Sequence, residues 1–139
     1  MFKKFITYTI LFFFIINVWA GEINWTGGEG TKNMSFVSVA SSSDGKKMVA
    51  IKQYGSIYTS VDAGATWTER TSSGQRYWQA VAMSADGAKM TVANKDGYIY
   101  TSTDAGATWI ERTSSGQRNW RAITMSTDGT KQYALDAPA

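Results

Sequence analysis

The sequence predicts an all-β fold built from repeated antiparallel sheets, and three observations support that prediction. Residues 58–78 and 100–120 are nearly identical, with three differences in 21 aligned positions at an offset of 42 residues. After residue 20, no stretch shows the apolar periodicity of a helix. Short β-branched and aromatic runs instead alternate with glycine-containing turn signals. A repeat of this length matches one four-stranded blade of a β-propeller, which needs about 40–50 residues.

One repeat, residues 78–113, illustrates the predicted blade. Its first strand alternates between two apolar faces, which is typical of a strand covered on both sides. Asp86 and Gly87 then favour a tight turn, because Asp tolerates turn geometry and Gly supplies positive φ. The predicted strands are 78–84, 89–93, 98–102 and 108–113, and the predicted turns lie at 85–87, 94–97 and 104–107. Four short strands joined by three turns form an antiparallel meander.

The same frame divides the whole chain. It predicts complete blades at 36–70 and 78–113 and partial blades at 24–26 and 120–135, all within a domain spanning 21–139. A ring propeller typically has about 4–8 blades, so two complete blades cannot close one. Three explanations stay open. The chain is a fragment of a longer gene, a short protein that associates through its open sheet edges, or a decayed remnant.

Residues 1–20 have the layout of a signal peptide. A basic start with Lys3 and Lys4 precedes an apolar stretch, and small residues at Val18 and Ala20 favour cleavage before Gly21. The alternative is an uncleaved membrane anchor, but the stretch is shorter than the roughly 20 residues of a spanning helix. We therefore expect an exported protein, in the periplasm, at the cell surface or in the medium, without stable membrane insertion after cleavage.

Composition excludes several classes of chemistry. The chain has 14 basic and 11 acidic residues, and removing Lys3 and Lys4 leaves 12 and 11, a net charge of +1. This balance gives no electrostatic reason to expect nucleic-acid binding. The chain has no His and no Cys, which excludes a Ser-His-Asp triad, a His-bound metal and disulfides. We expect no cofactor and no metal.

A Ser-x-Asp-x-Gly-x-Thr-Trp motif occurs once in each complete repeat, at residues 60–67 and 102–109, here called the octapeptide turns. A short Asp side chain can accept backbone N–H groups of the turn that follows it, and the Gly supplies positive φ. The Trp covers the hairpin with a large apolar ring. The residues assigned to this structural role are Ser60, Asp62, Gly64, Thr66, Trp67, Ser102, Asp104, Gly106, Thr108 and Trp109.

These two motifs, each preceded by an Ile-Tyr-Thr strand, resemble the Asp-box, or BNR, repeat of bacterial sialidases and related propellers. The pattern is similar to that of exported bacterial proteins built from tandem Asp-box blades. The resemblance implies that the boxes are turn elements away from any active site. It also implies that sialidase-type catalysis would need an arginine cluster, a Tyr–Glu pair and an acid/base Asp gathered from several blades. Here Arg70/Arg112 and Arg76/Arg118 are repeat-equivalent pairs that do not converge.

The favoured function is therefore a non-catalytic exported repeat protein that offers a binding or scaffolding surface to a glycan or protein ligand. The alternative is a fragment of a secreted sialidase-type glycoside hydrolase whose catalytic residues lie in other blades.

The links between blades, residues 72–76 and 114–118, are identical in sequence. Either a recent duplication explains the identity, or each link carries one copy of a repeated lectin-like site. Such a site would use planar donors and an aromatic stacking surface, which suit sugars and acidic glycans. Its candidate residues are Gln75, Arg76, Trp78, Gln117, Arg118 and Trp120. Because the two tryptophans align with Phe36, the alignment favours packing over recognition.

Overall fold

The structure, a computed structural model, describes residues 35–138. The predicted signal peptide at 1–20 and the predicted partial blade at 24–26 lie outside the described residues. The described part is a series of ten antiparallel strands, as the sequence predicts. The first module comprises β1 (Phe36–Ser41), β2 (Met48–Gly55), β3 (Ile57–Ser60) and β4 (Thr68–Arg70). The second module comprises β5 (Arg76–Met83), β6 (Met90–Gly97), β7 (Ile99–Ser102) and β8 (Ile110–Arg112). The C-terminal hairpin comprises β9 (Arg118–Met125) and β10 (Gln132–Asp136).

Within each module the strands pair in chain order. β1 pairs with β2, β2 with β3 and β3 with β4, and the second module repeats this pattern. The register repeats as well, because Val49 opposes Thr59 in the first module and Thr91 opposes Thr101 in the second. Both modules are therefore four-stranded antiparallel meanders, which confirms the predicted fold class.

The predicted turn at residues 94–97 is present, and it makes an additional strand pairing that the sequence did not predict. The chain does reverse there, since Asn94 N donates to Tyr98 O at 3.2 Å. The outer side of the same segment, however, extends β6 and pairs with β9, with Lys95 opposite Asn119 and Gly97 opposite Arg118. Backbone groups on the outside of a turn are free to bond a neighbouring strand. The second strand of one module therefore joins the first strand of the next.

The equivalent pairing joins the first two modules. Gln53 lies opposite Tyr77, and Gly55 lies opposite Arg76. This extra pairing moves the start of β5 back to Arg76 from the predicted start at Trp78. The predicted fourth strand at 108–113 is also shorter than expected, because β8 spans Ile110–Arg112 and a one-turn 3₁₀ helix follows at Thr113–Ser115.

Asp-Gly turns connect the first and second strands at residues 42–47, 84–89 and 126–131. In the second of these turns, Ser84 Oγ donates to Asp86 Oδ1 at 2.6 Å, and Ala88 N donates to the same oxygen at 2.9 Å. Gly87 has a φ of 66°, a conformation that glycine adopts without steric penalty. Local side-chain hydrogen bonds therefore define each turn, as the sequence pattern predicts.

The main hydrophobic cluster lies between the two modules and not inside either one. Val49, Ile51 and Ile57 of the first module are clustered with Trp78 and Val92 of the second, and all five are 0% exposed. A smaller cluster joins Ala80 and Ala93 of the second module to Trp120 of the C-terminal hairpin. Each sheet has two faces to cover, and here the neighbouring module covers one of them.

Candidate functional site

The octapeptide turns are closed by a compact set of hydrogen bonds. Ser60 Oγ donates to Asp62 Oδ1 at 2.7 Å and accepts from Gly64 N at 2.9 Å. Thr66 N and Thr66 Oγ1 donate to the two oxygens of Asp62 at 2.8 and 2.6 Å. The second turn repeats the network through Ser102, Asp104, Gly106 and Thr108, with donor–acceptor distances of 2.6–2.9 Å.

These hydrogen bonds determine the electrostatics of the turn aspartates. The hydroxyl and backbone N–H of Thr66, together with the Ser60 hydroxyl, lower the pKa of Asp62 to about 2. The equivalent donors from Thr108 and Ser102 lower the pKa of Asp104 to about 2. Hydrogen bonds that favour the charged carboxylate have this effect even at the surface. Both side chains therefore remain ionised at neutral pH.

The turn backbone explains the tryptophan at the end of each motif. Gly64 has a φ of 85°, and the preceding Ala63 is also left-handed at 57°. Trp67 lies half-buried against this strained segment and donates from Nε1 to Gly64 O at 3.0 Å. Trp109 makes the same contact with Gly106 O at 3.1 Å. The indole both covers the turn and satisfies one of its carbonyl groups.

The two links place their candidate ligand-binding residues differently. Gln75, Arg76, Gln117 and Arg118 are all exposed. The Arg76 guanidinium lies over the Tyr100 ring, 4.8 Å from its centroid. Arg118 lies over the Trp120 ring at 5.6 Å and pairs with Asp136 at 3.3 Å. Identical link sequences thus have different surroundings, which argues against one repeated site per link.

The two candidate stacking tryptophans are in the core. Trp78 is 0% exposed and packs edge-to-face against Tyr100, with ring centroids 5.1 Å apart. Trp120 is 7% exposed and donates from Nε1 to Gly97 O at 3.0 Å. Neither ring presents a face to solvent in this structure, so the burial favours the packing interpretation over ligand stacking.

The structure brings together a different group of residues, which we call the aromatic ledge: Tyr54, Tyr77 and Lys95. The rings of Tyr54 and Tyr77 lie 4.2 Å apart between centroids, with an interplanar angle of 32°. Lys95 Nζ lies 4.6 Å from the Tyr77 centroid. Tyr54 is 69% exposed although its φ is 53°. A left-handed conformation is unusual for a bulky residue and costs about 1–2 kcal/mol.

Charged groups surround this ledge. Tyr54 and the Lys95 ammonium, with a smaller contribution from Arg121, lower the pKa of Tyr77. The pKa of Tyr54 is raised, mainly by its hydrogen bond with Tyr77 and by burial, and to a smaller degree by the Asp96 carboxylate. The ledge therefore combines an exposed aromatic face with two cations and one carboxylate.

Sequence reasoning missed the ledge because its residues are not repeated. The positions equivalent to Tyr54 and Tyr77, 42 residues later, are Asp96 and Asn119. The pairing of β2 with β5, which the sequence analysis did not foresee, is what brings the two tyrosines together. The sequence did carry a signal of the ledge, because Tyr77 and Asn119 form one of the three differing pairs between the near-identical segments.

Two further features bear on the classes of function. Among residues 35–138, no group of three or more carboxylate, His or Cys side chains is arranged to hold a metal ion. In the same range, no helix has the length and apolar character needed to cross a bilayer.

Comparison with known proteins identifies the fold. No protein-family model matches the chain, and a search of curated proteins finds no match. Solved structures do match, and the matched proteins are β-propellers. A GH74 enzyme from Niastella koreensis is 27% identical, with a TM-score of 0.54, over 66% of this chain and 13% of that chain.

Two other matches have different functions. Hydrazine synthase of Kuenenia stuttgartiensis matches with a TM-score of 0.62 and 21% identity, over 84% of this chain and 33% of that chain. YCF48 bound to D1 peptide matches with a TM-score of 0.54 and 14% identity, over 73% of this chain and 40% of that chain. The chain spans less than half the length of each of these structures. The likeness establishes a propeller-repeat fold, and that fold occurs in enzymes and in non-enzymes.

Proposed function

We propose that this chain is a non-catalytic, exported binding protein of the Asp-box type, and that the aromatic ledge is its ligand-binding surface. The observation that supports this most strongly is Tyr54. It is exposed, it is strained, and it stacks on Tyr77. Asp96, which tolerates left-handed backbone better, occupies the equivalent position in the second module. Strain held at an exposed aromatic residue is typical of functional sites.

The chemistry of the ledge favours an acidic glycan. An exposed tyrosine ring provides a flat face for the apolar side of a sugar, and its hydroxyl can hydrogen-bond the ring substituents. Lys95 lies beside Tyr77 and can neutralise a carboxylate. A protein ligand is the other class that such a surface suits, since tyrosine is enriched in protein interfaces.

The state of the aspartates supports a non-catalytic role. A general acid near neutral pH needs a pKa raised towards that pH, as burial or a like charge provides. Asp62, Asp104 and Asp128 have the opposite shift, to a pKa of about 2, caused by local hydrogen bonds. Their oxygens are already occupied by turn donors, so they are better suited to holding loops than to transferring protons.

A glycan array probed with the purified protein, followed by titration of the strongest hit, tests the proposal. We expect binding to carboxylate-bearing glycans. Tyr54→Ala should weaken it by about tenfold, because one stacked ring contributes about 1 kcal/mol or more.

Two variants serve as controls for this titration. Val61→Ala removes a side chain that is 70% exposed on an octapeptide turn, and it should bind as the unmodified protein does. The double variant Arg76→Ala, Arg118→Ala should also bind normally unless the links are themselves sites. Absence of any glycan binding, or binding that survives Tyr54→Ala, would remove the ledge as the site of an acidic glycan.

A second candidate function is part of a glycoside hydrolase, favoured by the 27% identity with the GH74 enzyme. In this case the carboxylates that cleave the substrate would come from other blades. Sequencing the encoding DNA beyond the codon for Ala139 distinguishes the two candidates. Further blades that bring additional carboxylates together would favour the hydrolase, whereas further near-identical blades would favour the binding protein.

A further inference from the structure

The C-terminal hairpin has an apolar face that its repeat equivalents bury. Leu135 on β10 is 68% exposed, whereas Ile51 and Ala93 at the same position of the two modules are 0% exposed. Tyr133 is 65% exposed, whereas its equivalent Val49 is 0% exposed. In both modules, the first strand of the next repeat covers this face. We call the exposed face of the hairpin the tail.

The opposite end of the described sheets carries the complementary surface. Val39 on β1 is 57% exposed, and Val37 is 44% exposed. Val81, the equivalent of Val39 in the second module, is 7% exposed because it lies in the cluster between the modules. In the C-terminal hairpin, Ile123 packs against the preceding module in the same way. We call the surface formed by Val37 and Val39 the head.

Polar contacts across each interface follow the same period. Lys47 Nζ donates to Asp86 O, and Lys89 Nζ donates to Asp128 O, each at 2.9 Å. Lys131 is the next member of this series, and its side chain is exposed.

The surroundings of the glycines in the Asp-Gly turns follow the same pattern as these lysine contacts. A Cβ placed on Gly87 would lie 2.7 Å from Lys47 Cδ, and one on Gly129 would lie 2.8 Å from Lys89 Cδ. Among residues 35–138, a Cβ on Gly45 would have no neighbour within 4 Å. Within this part of the chain the Asp-Gly turn of the head is therefore uncovered, and the tail has a lysine of the type that covers such a turn.

A backbone ladder links the turns in the same order. Ser43 N donates to Ala85 O, and Ala85 N donates to Thr127 O, each at 2.8 Å. The next bond in the ladder would run from Thr127 N to a carbonyl at the position of Ser43. Apolar, charged and backbone groups thus match between tail and head in a single register.

We propose that the tail of one copy binds the head of a second copy. Val39 of the second copy covers Tyr133 and Leu135, in the way that Val81 of β5 covers the first module. Lys131 Nζ donates to Asp44 O of the second copy, and Thr127 N donates to Ser43 O of the second copy. The contact is heterologous, so it forms a closed ring or an open chain according to the rotation per copy. It uses a surface other than the aromatic ledge and goes beyond the proposed function.

The match favours a second copy over an unrelated apolar partner. An unrelated protein could cover Tyr133 and Leu135, but it would have to reproduce a carbonyl for Lys131 and another for Thr127 at the same spacing. The head already has both groups in the geometry that the two internal interfaces use. The hairpin offers two strands where each module offers four, so we expect weaker packing than between the modules.

Sedimentation of two complementary variants tests whether the tail of one copy contacts the head of another. The full-length sequence is expressed, and the protein is purified as the host cell processes it. We expect it to form species larger than a monomer as concentration rises. Leu135→Lys blocks the tail and Val39→Lys blocks the head, so each variant alone should be monomeric. Their equimolar mixture should form a one-to-one dimer and nothing larger, because each variant retains the surface that the other lacks.

Three controls accompany this test. Val61→Lys changes a side chain that is 70% exposed on an octapeptide turn, and it should assemble normally. Lys131→Ala should weaken association about tenfold, whereas Lys46→Ala, on the same kind of turn, should not. Circular dichroism of each variant confirms that it is folded. Tyr54→Ala should leave assembly unchanged, which separates this proposal from the glycan-binding one.

Three results would overturn the proposal. The unmodified protein could remain monomeric at every concentration. Either blocked variant could still self-associate as strongly as the unmodified protein. The mixture of variants could stay monomeric under conditions in which the unmodified protein assembles.

Discussion

Asp62 accepts hydrogen bonds from Ser60 Oγ, Thr66 N and Thr66 Oγ1, and the repeat places the same donors around Asp104. All the donors lie within four residues of the carboxylate that they contact. This local character explains why the sequence motif alone predicts the turn. It also links folding to protonation, because a carboxylate that accepts these bonds is more acidic in the folded chain than in the unfolded one.

Acid should therefore destabilise the protein in a defined range. The folded pKa of Asp62 is about 2, below its ordinary value of 3.8. As pH falls from 3.8 towards 2, the unfolded chain takes up the proton first, so the stabilisation is complete above about pH 4 and is lost through this range. Asp62→Asn should lower the urea midpoint at pH 7, and the difference from the unmodified protein should shrink as pH falls towards 2.

Asp96→Asn is the matched control for this titration. Asp96 is an exposed aspartate with a left-handed backbone, at φ 59°, and it lies outside the octapeptide turns. Asparagine tolerates that conformation equally well. A constant difference between Asp62→Asn and the unmodified protein from pH 7 to 2 would contradict the structural role assigned to Asp62.

The strands show which parts of the fold a sequence pattern can predict. Strand centres, the Asp-Gly turns and the octapeptide turns follow from alternation and from short-range turn chemistry, and the structure has them where these patterns occur. The pairing of Gln53 and Gly55 with β5 was not predictable in this way. A turn residue has a free outer edge, and only the position of the neighbouring module decides whether another strand uses that edge.

The candidate site shows the same limit. The links are candidate sites in the sequence because they are repeated, whereas residues that occur once carry no such signal. Tyr54 and Tyr77 are 23 positions apart in the chain, and their contact depends on the pairing of β2 with β5. Burial of Trp78 could be anticipated from its alignment with Phe36. The ledge could be recognised only once the pairing of β2 with β5 was known.

The Asp-Gly turns offer a matched test of contacts between modules. Gly45 and Gly87 have similar φ values, 69° and 66°, but only Gly87 lies under the Lys47 stem. Gly45→Ala should cost about 1 kcal/mol of stability, because alanine disfavours left-handed backbone. Gly87→Ala should cost about 2–3 kcal/mol, because the new methyl group must also displace the Lys47 stem.

Chemical unfolding of the two alanine variants measures this difference. Equal losses of stability would mean that the Lys47 stem moves aside freely and does not hold the modules together. The pair shares one turn sequence and one backbone conformation, so the comparison isolates the contact across the interface.

The two modules depend on each other for their hydrophobic core. Val49 and Ile57 of the first module and Trp78 and Val92 of the second lie in one buried cluster. A single four-stranded meander would expose half of this cluster to water. Arrays of this kind gain stability from the interfaces between neighbouring units. Exposed faces at either end of such an array are sites where further units can add.

Hydrogen exchange of a Trp78→Leu variant tests the shared core most directly. The substitution leaves a cavity at the interface, so amide protection should fall in both β2–β3 and β6–β7. Trp67→Leu, which alters a half-buried tryptophan on an octapeptide turn outside this cluster, should reduce protection only near that turn. If Trp78→Leu reduced protection in the second module and left β2 and β3 unchanged, the modules would be independent, and the shared-core account would be wrong.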